Sequence, residues 1–409
     1  MKRKILTLLL SLAMVVTMMP MTAVGSFAAS TSPFTKAQLE EPFYIEAVAD
    51  DGAIVSLQRK NEYAPAVNLL YKVNNGEWKD YELNSEVKLA KNDRVYFKAG
   101  SEENPSLKNT QMNSDYYSNS FNSKGETKLG GNIMSLLDGK NFSTMDKFQS
   151  GTRYSLSHIF CEGGDIVSAK DLILPAKELT SNCYESMFRY CGNLKEAPVL
   201  PATELATHCY TCMFDGCSSL ESAPELKAEI LKSSCYSEMF NNCESLKEAP
   251  ELASKHLANG CYKSMFAGCS SLQTAPKLPA AELKDNCYNC MFLSCTSLKE
   301  APELPAKVMT RECYTSMFYG CTSLMHAPEL PATSLSYGCY WSMFENCQSL
   351  VKAPVLPAKK TASSSYNRMF AGCESLNRIE VGFEEWNFFA TTSWLNEVAE
   401  KGTVQEDSE

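Results

Sequence analysis

The stretch CYTCMFDGCSSLESAPELKAEIL, residues 209–231, decides the fold, because seven close copies of it occur at a fixed spacing of 26 residues. One column of cysteines comprises Cys183, Cys209, Cys235, Cys261, Cys287, Cys313 and Cys339, with Ser365 in the next slot. A second column comprises Cys191, Cys217, Cys243, Cys269, Cys295, Cys321, Cys347 and Cys373. Such a period is typical of a solenoid, in which each coil contacts only its neighbours.

A single unit cannot be stable alone. It offers about four large apolar side chains, each contributing about 2 kcal/mol when buried. Ordering each residue of the unit costs about 1 to 2 kcal/mol in backbone entropy. Stacking, which buries both faces of a coil, is therefore required.

Within the unit, the spacing of apolar residues changes. Cys209, Met213 and Cys217 lie four residues apart, which predicts a short helix over 209–217 on the outer, convex side. The following segment carries Pro224, and proline removes one amide donor from each coil. We therefore expect the inner, concave strands to be short and irregular.

The repeat unit resembles the BspA-like leucine-rich repeats of bacterial surface proteins. The resemblance lies in the order of its residues: Cys, Leu, an extended segment ending in Leu-Pro, Leu, Phe and Cys. The resemblance covers about residues 154–400, although the unit is longer than the usual repeat and has Met-Phe and Cys-Tyr where many members have Ala-Phe and Ile-Gly. The resemblance implies a leucine-rich-repeat solenoid and an extracellular or cell-surface role in adhesion or host contact.

The residues outside the repeats predict further segments. Short runs such as Phe43–Ala47 alternate apolar and polar residues, and Asn75-Gly76 shortly before Trp78 is a hairpin signal, which together favour an antiparallel β-sandwich. Trp386, Phe388, Phe389, Trp394 and Leu395 replace the repeat pattern at the carboxyl end, as expected of a cap. The predicted organisation is a signal peptide at 1–28, a linker at 29–41, the β-sandwich at 42–135, the solenoid at 150–377, the cap at 378–401 and an acidic tail at 402–409.

The first residues predict secretion. Lys2, Arg3 and Lys4 precede an apolar run, and small residues follow around Ala28, which is the pattern of a cleaved signal peptide. The apolar run is shorter than the about 20 residues of a membrane span. We expect the mature protein outside the cell, free or held non-covalently at the surface, without membrane insertion after signal cleavage.

The charge balance argues against nucleic acid as a partner. The formal net charge is −10, and the sequence has no cluster of Lys and Arg of the kind that binds phosphates or anionic membranes. The partners expected are an extracellular protein or a glycan.

The 18 cysteines allow three interpretations. Disulfides occur in secreted chains, but columns of seven and eight cannot both pair completely. Cys209-x-x-Cys212 and Cys287-x-x-Cys290 have metal-ligand spacing but no partner pair. Buried free thiols acting as small apolar side chains account best for the columns, with Cys212 and Cys290 as surface thiols. We predict no metal site and no cofactor.

The sequence shows no motif for catalysis. The four histidines occupy different slots in different repeats, so none accompanies a cysteine regularly. Glycine-rich phosphate loops, nucleophile elbows and zinc-binding helices are missing from the sequence. We expect a protein that is not an enzyme.

One slot beside the proline offers candidate binding residues on the concave face: Glu225, Glu251, Lys277, Glu303 and Glu329. A column of carboxylates suits a basic or calcium-bearing partner. The same row is also consistent with a solvated face that has no ligand.

Two functional hypotheses follow. The first is a secreted or cell-surface adhesion protein that presents its solenoid to host or neighbouring-cell macromolecules. The second is carbohydrate binding through the β domain, with the solenoid as a spacer and Trp78, Tyr81 and Tyr116 as a sugar-stacking platform. The core of the β domain, or its hairpin turns, is the more usual place for such aromatic residues.

Overall fold

A computed structural model describes residues 32–114, 119–383, 387–396, 398 and 403–406, and Phe34–Glu409 forms one unit. The helices are α1 (Lys36–Glu40) and α2 (Phe388–Thr391), with 3₁₀ turns at Ile133–Leu136 and Phe142–Thr144. The strands are β1 (Tyr44–Ala47), β2 (Ala53–Arg59), β3 (Leu69–Val73), β4 (Lys79–Asp80), β5 (Val87–Leu89), β6 (Arg94–Ala99), β7 (Asn119–Asn132), β8 (Gly164–Ile173), β9 (Arg378–Val381) and β10 (Thr403–Glu406). Both described helices are far too short to cross a bilayer. The predicted signal peptide lies outside the described residues.

The amino-terminal region is one curled sheet with the order β4-β3-β6-β1-β7-β2-β5, and all of these neighbours are antiparallel. The long strand β7 pairs with β2 along 119–124 and with β1 along 127–130. Gly125 lies where these pairings change, at a φ of +90° that favours glycine. The sheet therefore forks into two arms, β2-β5 and β1-β6-β3-β4.

Tyr81 links the two arms. Its hydroxyl oxygen accepts a hydrogen bond from the Leu57 amide of β2 at 2.8 Å and donates one to the Ser85 carbonyl at 2.7 Å. The expected sandwich of two sheets is not confirmed, because the strands belong to one forked sheet. Alternation of apolar and polar residues shows that one face of each strand is buried, but it does not show which strands are hydrogen-bonded to each other.

The sheet and the solenoid share a hydrophobic core. Strand β8, which begins in the first coil, pairs in parallel with β7. The ring of Phe160 in that coil lies 5.5 Å from the ring of Phe43, 6.0 Å from Phe121 and 5.3 Å from Phe188. The curled sheet thus covers the apolar end of the repeat array, which is what a terminal cap must do.

The segment predicted as a helix is a chain of β-turns, so the expected convex helices are wrong. In the segment 209–217, the amides of Met213 and Cys217 donate to carbonyls three residues earlier, at 3.2 and 3.0 Å. The alternate amides of Cys212 and Phe214 instead donate to the next coil, each at 2.9 Å. In an α-helix the interior amides bond within the helix, and they would not connect the coils. We call residues 182–191 and their equivalents the turn side.

Every fourth residue of the turn side is left-handed, which separates the turns from a helix. In one coil these residues are His208, Cys212 and Gly216, with φ of 56°, 53° and 74°. The third of these slots holds Tyr190, Gly216, Asn242, Gly268, Ser294, Gly320, Asn346 and Gly372. Gly and Asn adopt this conformation at the lowest cost. A four-residue spacing is common to helices and to these turns, so the apolar pattern alone does not distinguish them.

Two columns of stacked aromatic rings run through the coils. Nine phenylalanines, from Phe160 to Phe370, have neighbouring centroids 5.3 to 5.8 Å apart. Eight tyrosines, from Tyr184 to Tyr366, have neighbouring centroids 5.8 to 6.0 Å apart. The rings are nearly parallel, and aromatic pairs contribute about 0.5 to 1.5 kcal/mol beyond their burial.

The opposite side of the coils has much less backbone pairing. Isolated parallel bridges such as Glu196↔Ser222, Glu248↔Thr274 and Thr274↔Glu300 connect neighbouring coils where short concave strands were expected. The repeated Ala-Pro step follows each of these three bridges, and proline supplies no amide to extend them. We call residues 195–201, and their equivalents every 26 residues to 351–357, the bridge face.

The ends of the chain differ from the predicted segments. Helix α1 begins with a capping box between Thr35 and Gln38, and its Leu39 carbonyl accepts a hydrogen bond from the Asn132 side chain at 3.0 Å. The described part of the predicted linker therefore packs against the sheet. Thr403–Glu406 of the predicted acidic tail pairs in parallel with β9.

The carboxyl-terminal cap is aromatic as predicted, but only part of it shields the core. Trp394 is buried, with its ring 6.1 Å from the ring of Phe383 and 6.3 Å from that of Phe370. Phe388 and Phe389 are exposed. Trp386 lies outside the described residues.

Candidate interaction surface

The bridge face is held by two leucines in each coil. Leu246 is fully buried and Leu252 nearly so, and the Ala-Pro step and three charged side chains lie between them: Lys247, Glu248 and Glu251. Because the leucine slots repeat in every coil, the backbone between them is placed in the same way each time. The side chains on this backbone are thus presented in register, one coil apart.

The five predicted binding residues lie in one column of this face. All of them are exposed: Glu225, Glu251, Lys277, Glu303 and Glu329. Glu225 pairs with Lys227 at 3.3 Å, and the other four form no ion pair within 4.0 Å among the described residues. Val199 and Val355 occupy the same slot at the two ends of the face, and both are exposed.

Shallow grooves follow the proline residues of the bridge face. One groove of about 680 Å³ lies between residues 326–331 and 352–357. Another of about 380 Å³ lies between residues 275–279 and 302–305. Their walls are mostly alanine and proline, with a charged side chain such as Glu329 or Lys277 at the edge.

The last coils of the bridge face are more apolar than the middle ones. Met325 is 51% exposed, and Val351 and Val355 are also exposed, at 41% and 43%. The equivalent slots in earlier coils hold charged residues such as Lys247 and Glu251. The bridge face therefore changes from charged in its middle coils to apolar in its last coils.

The cysteines on the turn side are free thiols, and a hydrogen bond to the preceding coil accounts for the second column. The Sγ of Cys217 donates to the Phe188 carbonyl at 3.1 Å, and the Sγ of Cys243 donates to the Phe214 carbonyl at 3.2 Å. Every member of the column makes this bond to the preceding coil. Each thiol fills a small buried site and also acts as a hydrogen-bond donor.

Burial keeps these thiols protonated. It raises the pKa of Cys191, Cys269 and Cys321 to about 12. The reactive form of cysteine is the thiolate, so these groups are poor nucleophiles at neutral pH.

The two additional cysteines differ from the prediction in one respect. Cys212 is buried rather than exposed, while Cys290 is half-buried. Their slot is left-handed, and its side chains lie against the neighbouring coils, as shown by the 3.7 Å contact from Cys212 Sγ to Glu238 Oε2. The slot of Cys212 and Cys290 holds varied polar residues in other coils, but this variability did not mean that the slot is exposed. Among the described residues, no group of three His, Cys, Asp or Glu side chains is arranged to hold a metal.

One cavity is lined by histidine and cysteine residues that do not recur together in the sequence repeats. His158, His208 and Cys212 line a space of about 700 Å³ on the turn side, together with Arg153 and Arg189. Burial and the charges of Arg189 and Lys60 lower the pKa of His158 to about 4. Burial and Glu238 raise the pKa of the Cys212 thiol. No sequence pattern indicated this cluster, because the two-residue insertion in the first coil hides the alignment of His158 with its neighbours.

The aromatic residues of the β domain have separate roles. Tyr81 is in the core, 8% exposed, as expected for these aromatic residues in the alternative to an exposed sugar-stacking platform. Trp78 is half-buried at the surface. Tyr116 lies outside the described residues.

The comparisons with known proteins support the repeat assignment. The family model of the BspA type leucine rich repeat region matches in six copies, over residues 165–273, 213–351 and 286–398. No curated protein shows significant similarity to the chain. A solved structure described as a TLR13–ssRNA13 complex is similar at 14% identity and a TM-score of 0.25, over 64% of this chain and 42% of that one. The fold assignment therefore depends on the family match, which together covers more than half of the sequence: the chain belongs to the BspA-type leucine-rich repeat family.

Proposed function

We propose that the chain is a secreted or cell-surface protein that binds a protein of the host or of a neighbouring cell through its bridge face. The family's repeats suggest an interaction role, and repeat arrays commonly present extended surfaces for this purpose. The proposed partner is extracellular, and the protein needs no cofactor and performs no catalysis.

The observation that carries the proposal is the contrast between buried and exposed slots of the bridge face. The leucine, alanine and proline slots are nearly constant, so they fix the path of the backbone. The exposed slot between proline and leucine varies among Glu, Lys and Val. A constant scaffold with variable exposed side chains is the arrangement expected of a recognition surface, since only the exposed residues can contact a partner.

The charge of the bridge face supports a basic, partly apolar partner. Glu303 and Glu329 belong to neighbouring coils and form no ion pair among the described residues. Like charges in one column repel each other, and a basic patch would relieve that repulsion. The Met325, Val351 and Val355 region supplies apolar contact area beside the charged column. The proposed partner thus presents a basic stripe next to an apolar patch.

Binding can be tested with the secreted full chain on an array of purified extracellular proteins. The charge-reversal variant Glu251→Lys/Glu303→Lys/Glu329→Lys should reduce binding to a partner found with the wild type by at least about tenfold, or about 1.4 kcal/mol. A matched control, Glu178→Lys/Glu244→Lys/Glu282→Lys, changes the net charge equally at exposed positions outside the bridge face. Equal losses in both variants, or no loss in the first, would contradict a role of the column.

Secretion can be tested in the producing cell. The segment Lys2–Ala28 has the charge, apolar run and small residues of a signal peptide. We expect the mature chain in the culture medium or washed from the envelope by salt, with an amino terminus near residue 29 by mass spectrometry. A chain that stays in the cytoplasm with Met1 intact would show that the localisation is wrong.

A further inference from the structure

The outer face of the β1-β6-β3 arm carries a row of aromatic rings and cations. Tyr44 and Tyr96 face each other across β1 and β6, with ring centroids 5.5 Å apart. Lys72 of β3 lies opposite Tyr96, with its ammonium 5.2 Å from that ring and 5.3 Å from the ring of Trp78. The ammonium of Lys98 lies 4.4 Å from the ring of Trp78. We call Lys72, Trp78, Tyr96 and Lys98 the aromatic–lysine strip.

The two lysines of the strip have no carboxylate partner among the described residues. The nearby Arg94 differs, because it pairs with Glu46 at 2.7 Å and with Glu41 at 3.2 Å. Among the described residues, the ammonium groups of Lys72 and Lys98 have aromatic contacts and no ion pair. Burial and the charge of Lys72 lower the pKa of Lys98. The strip is thus a small positive site, without a carboxylate partner among the described residues, on a chain whose formal net charge is −10.

We propose that the aromatic–lysine strip binds an acidic carbohydrate, through one carboxylate or sulfate group held by Lys72 and Lys98 and a sugar ring that packs against Trp78. Each lysine has three ammonium donors, and an acid group accepts charge-assisted hydrogen bonds from them. An indole provides a large, rigid apolar surface for the sugar carbon atoms. An anion between the two ammonium groups would also remove their mutual repulsion.

The size of the strip favours an acidic sugar over a nucleic acid. Proteins bind nucleic acids with a longer basic stripe, because affinity grows with the number of neutralised phosphates. The strip has two lysines without a carboxylate partner among the described residues, and they flank a single indole. This arrangement matches one acidic sugar residue. The strip lies on the curled sheet, so its ligand is separate from the protein partner proposed for the bridge face.

The experiment uses the full mature chain and isothermal titration with short oligogalacturonate. The fully methyl-esterified form of this sugar has the same backbone without charge, dextran sulfate tests a sulfate in place of the carboxylate, and single-stranded oligothymidylate tests a nucleic acid. Lys72→Gln/Lys98→Gln removes both ammonium groups, and Trp78→Ala removes the indole. Lys88→Gln/Lys124→Gln is the matched control, because it removes two exposed lysines from β5 and β7 of the same sheet.

We expect an acidic sugar to bind the wild type, with the ester at least about tenfold weaker. Lys72→Gln/Lys98→Gln should lose at least about tenfold and Trp78→Ala a comparable amount, while the control changes by less than about twofold. Unchanged circular dichroism and thermal midpoint confirm that each variant is folded. Binding of neither acidic sugar, equal binding of the ester, equal loss in the control, or tighter binding of oligothymidylate would each overturn the proposal. All of these outcomes are independent of binding at the bridge face.

Discussion

The turn side and the bridge face of the solenoid are built from the same 26-residue unit, yet the coils are connected very differently on the two sides. On the turn side, alternate amides bond to the next coil, and the Tyr, Phe and Cys columns are buried. On the bridge face, isolated bridges and proline leave few backbone bonds between coils. The comparison indicates that stability is concentrated on the turn side, which leaves the bridge face free to vary in side chain and charge.

The largest expected effect is loss of the fold in alkali, because the turn side buries protonated thiols. Six cysteines have pKa values raised to about 12: Cys183, Cys191, Cys261, Cys269, Cys321 and Cys373. A raised folded-state pKa contributes stability that is complete below the unfolded pKa of about 8.5 and is lost as the pH rises toward about 12. Six such groups lose about 8 kcal/mol per pH unit, and domains are stable by about 5 to 15 kcal/mol.

We therefore expect the solenoid to unfold between about pH 9 and 10 under reducing conditions. Circular dichroism and thiol release measured with Ellman's reagent at each pH would follow the transition. At pH 7 the column thiols should react only after denaturant is added. A chain that remains folded at pH 11 would show that the thiols contribute little to the turn side.

The second effect is a cavity in an aromatic column. Phe266 is fully buried, with its ring 5.7 Å from that of Phe240 and 5.8 Å from that of Phe292. Phe266→Ala should lower the free energy of unfolding by about 3 to 5 kcal/mol, measured by urea unfolding at pH 7. A loss below about 1 kcal/mol would show that the column tolerates a gap and that the turn side is not the stabilising side.

A smaller effect tests the left-handed turns. Gly268 has a φ of +73°, and a Cβ atom there would overlap the side-chain oxygen of Asn242. Gly268→Ala should cost about 1 to 2 kcal/mol. Ser264→Gly places glycine at another left-handed position of the same coil, with φ of 52°, so it should be neutral or slightly stabilising. If both variants lose the same stability, the turn conformation is not the cause.

The smallest effect is expected on the bridge face. Glu251→Gln removes an exposed charge that has no ion pair among the described residues, so the free energy of unfolding should change by no more than about 0.5 kcal/mol. The same urea titration used for Phe266→Ala provides the measurement. A loss above about 1 kcal/mol would mean that this face also holds the coils together.

Much of the candidate site was predictable, for a physical reason. A 26-residue repeat places Glu225, Glu251 and Glu303 in one slot, and a slot adjacent to proline on an extended segment is exposed. The cavity lined by His158 and Cys212 was not predictable, because it depends on contacts between coils with different insertions. The aromatic–lysine strip was also missed, since Lys72, Trp78 and Lys98 meet only through the pairing of β3 with β6.

By itself the sequence determined that the chain is a leucine-rich-repeat solenoid with buried Cys, Phe and Leu columns, because a fixed period forces equivalent side chains into equivalent environments. Only the tertiary structure decided between helix and tandem turns, since the four-residue spacing of Cys209, Met213 and Cys217 suits both. It also decided that the β region is one forked sheet sharing its core with the coils through Phe160. Both choices depend on which amides bond to which neighbouring segment, and that is a property of long-range packing that no local pattern contains.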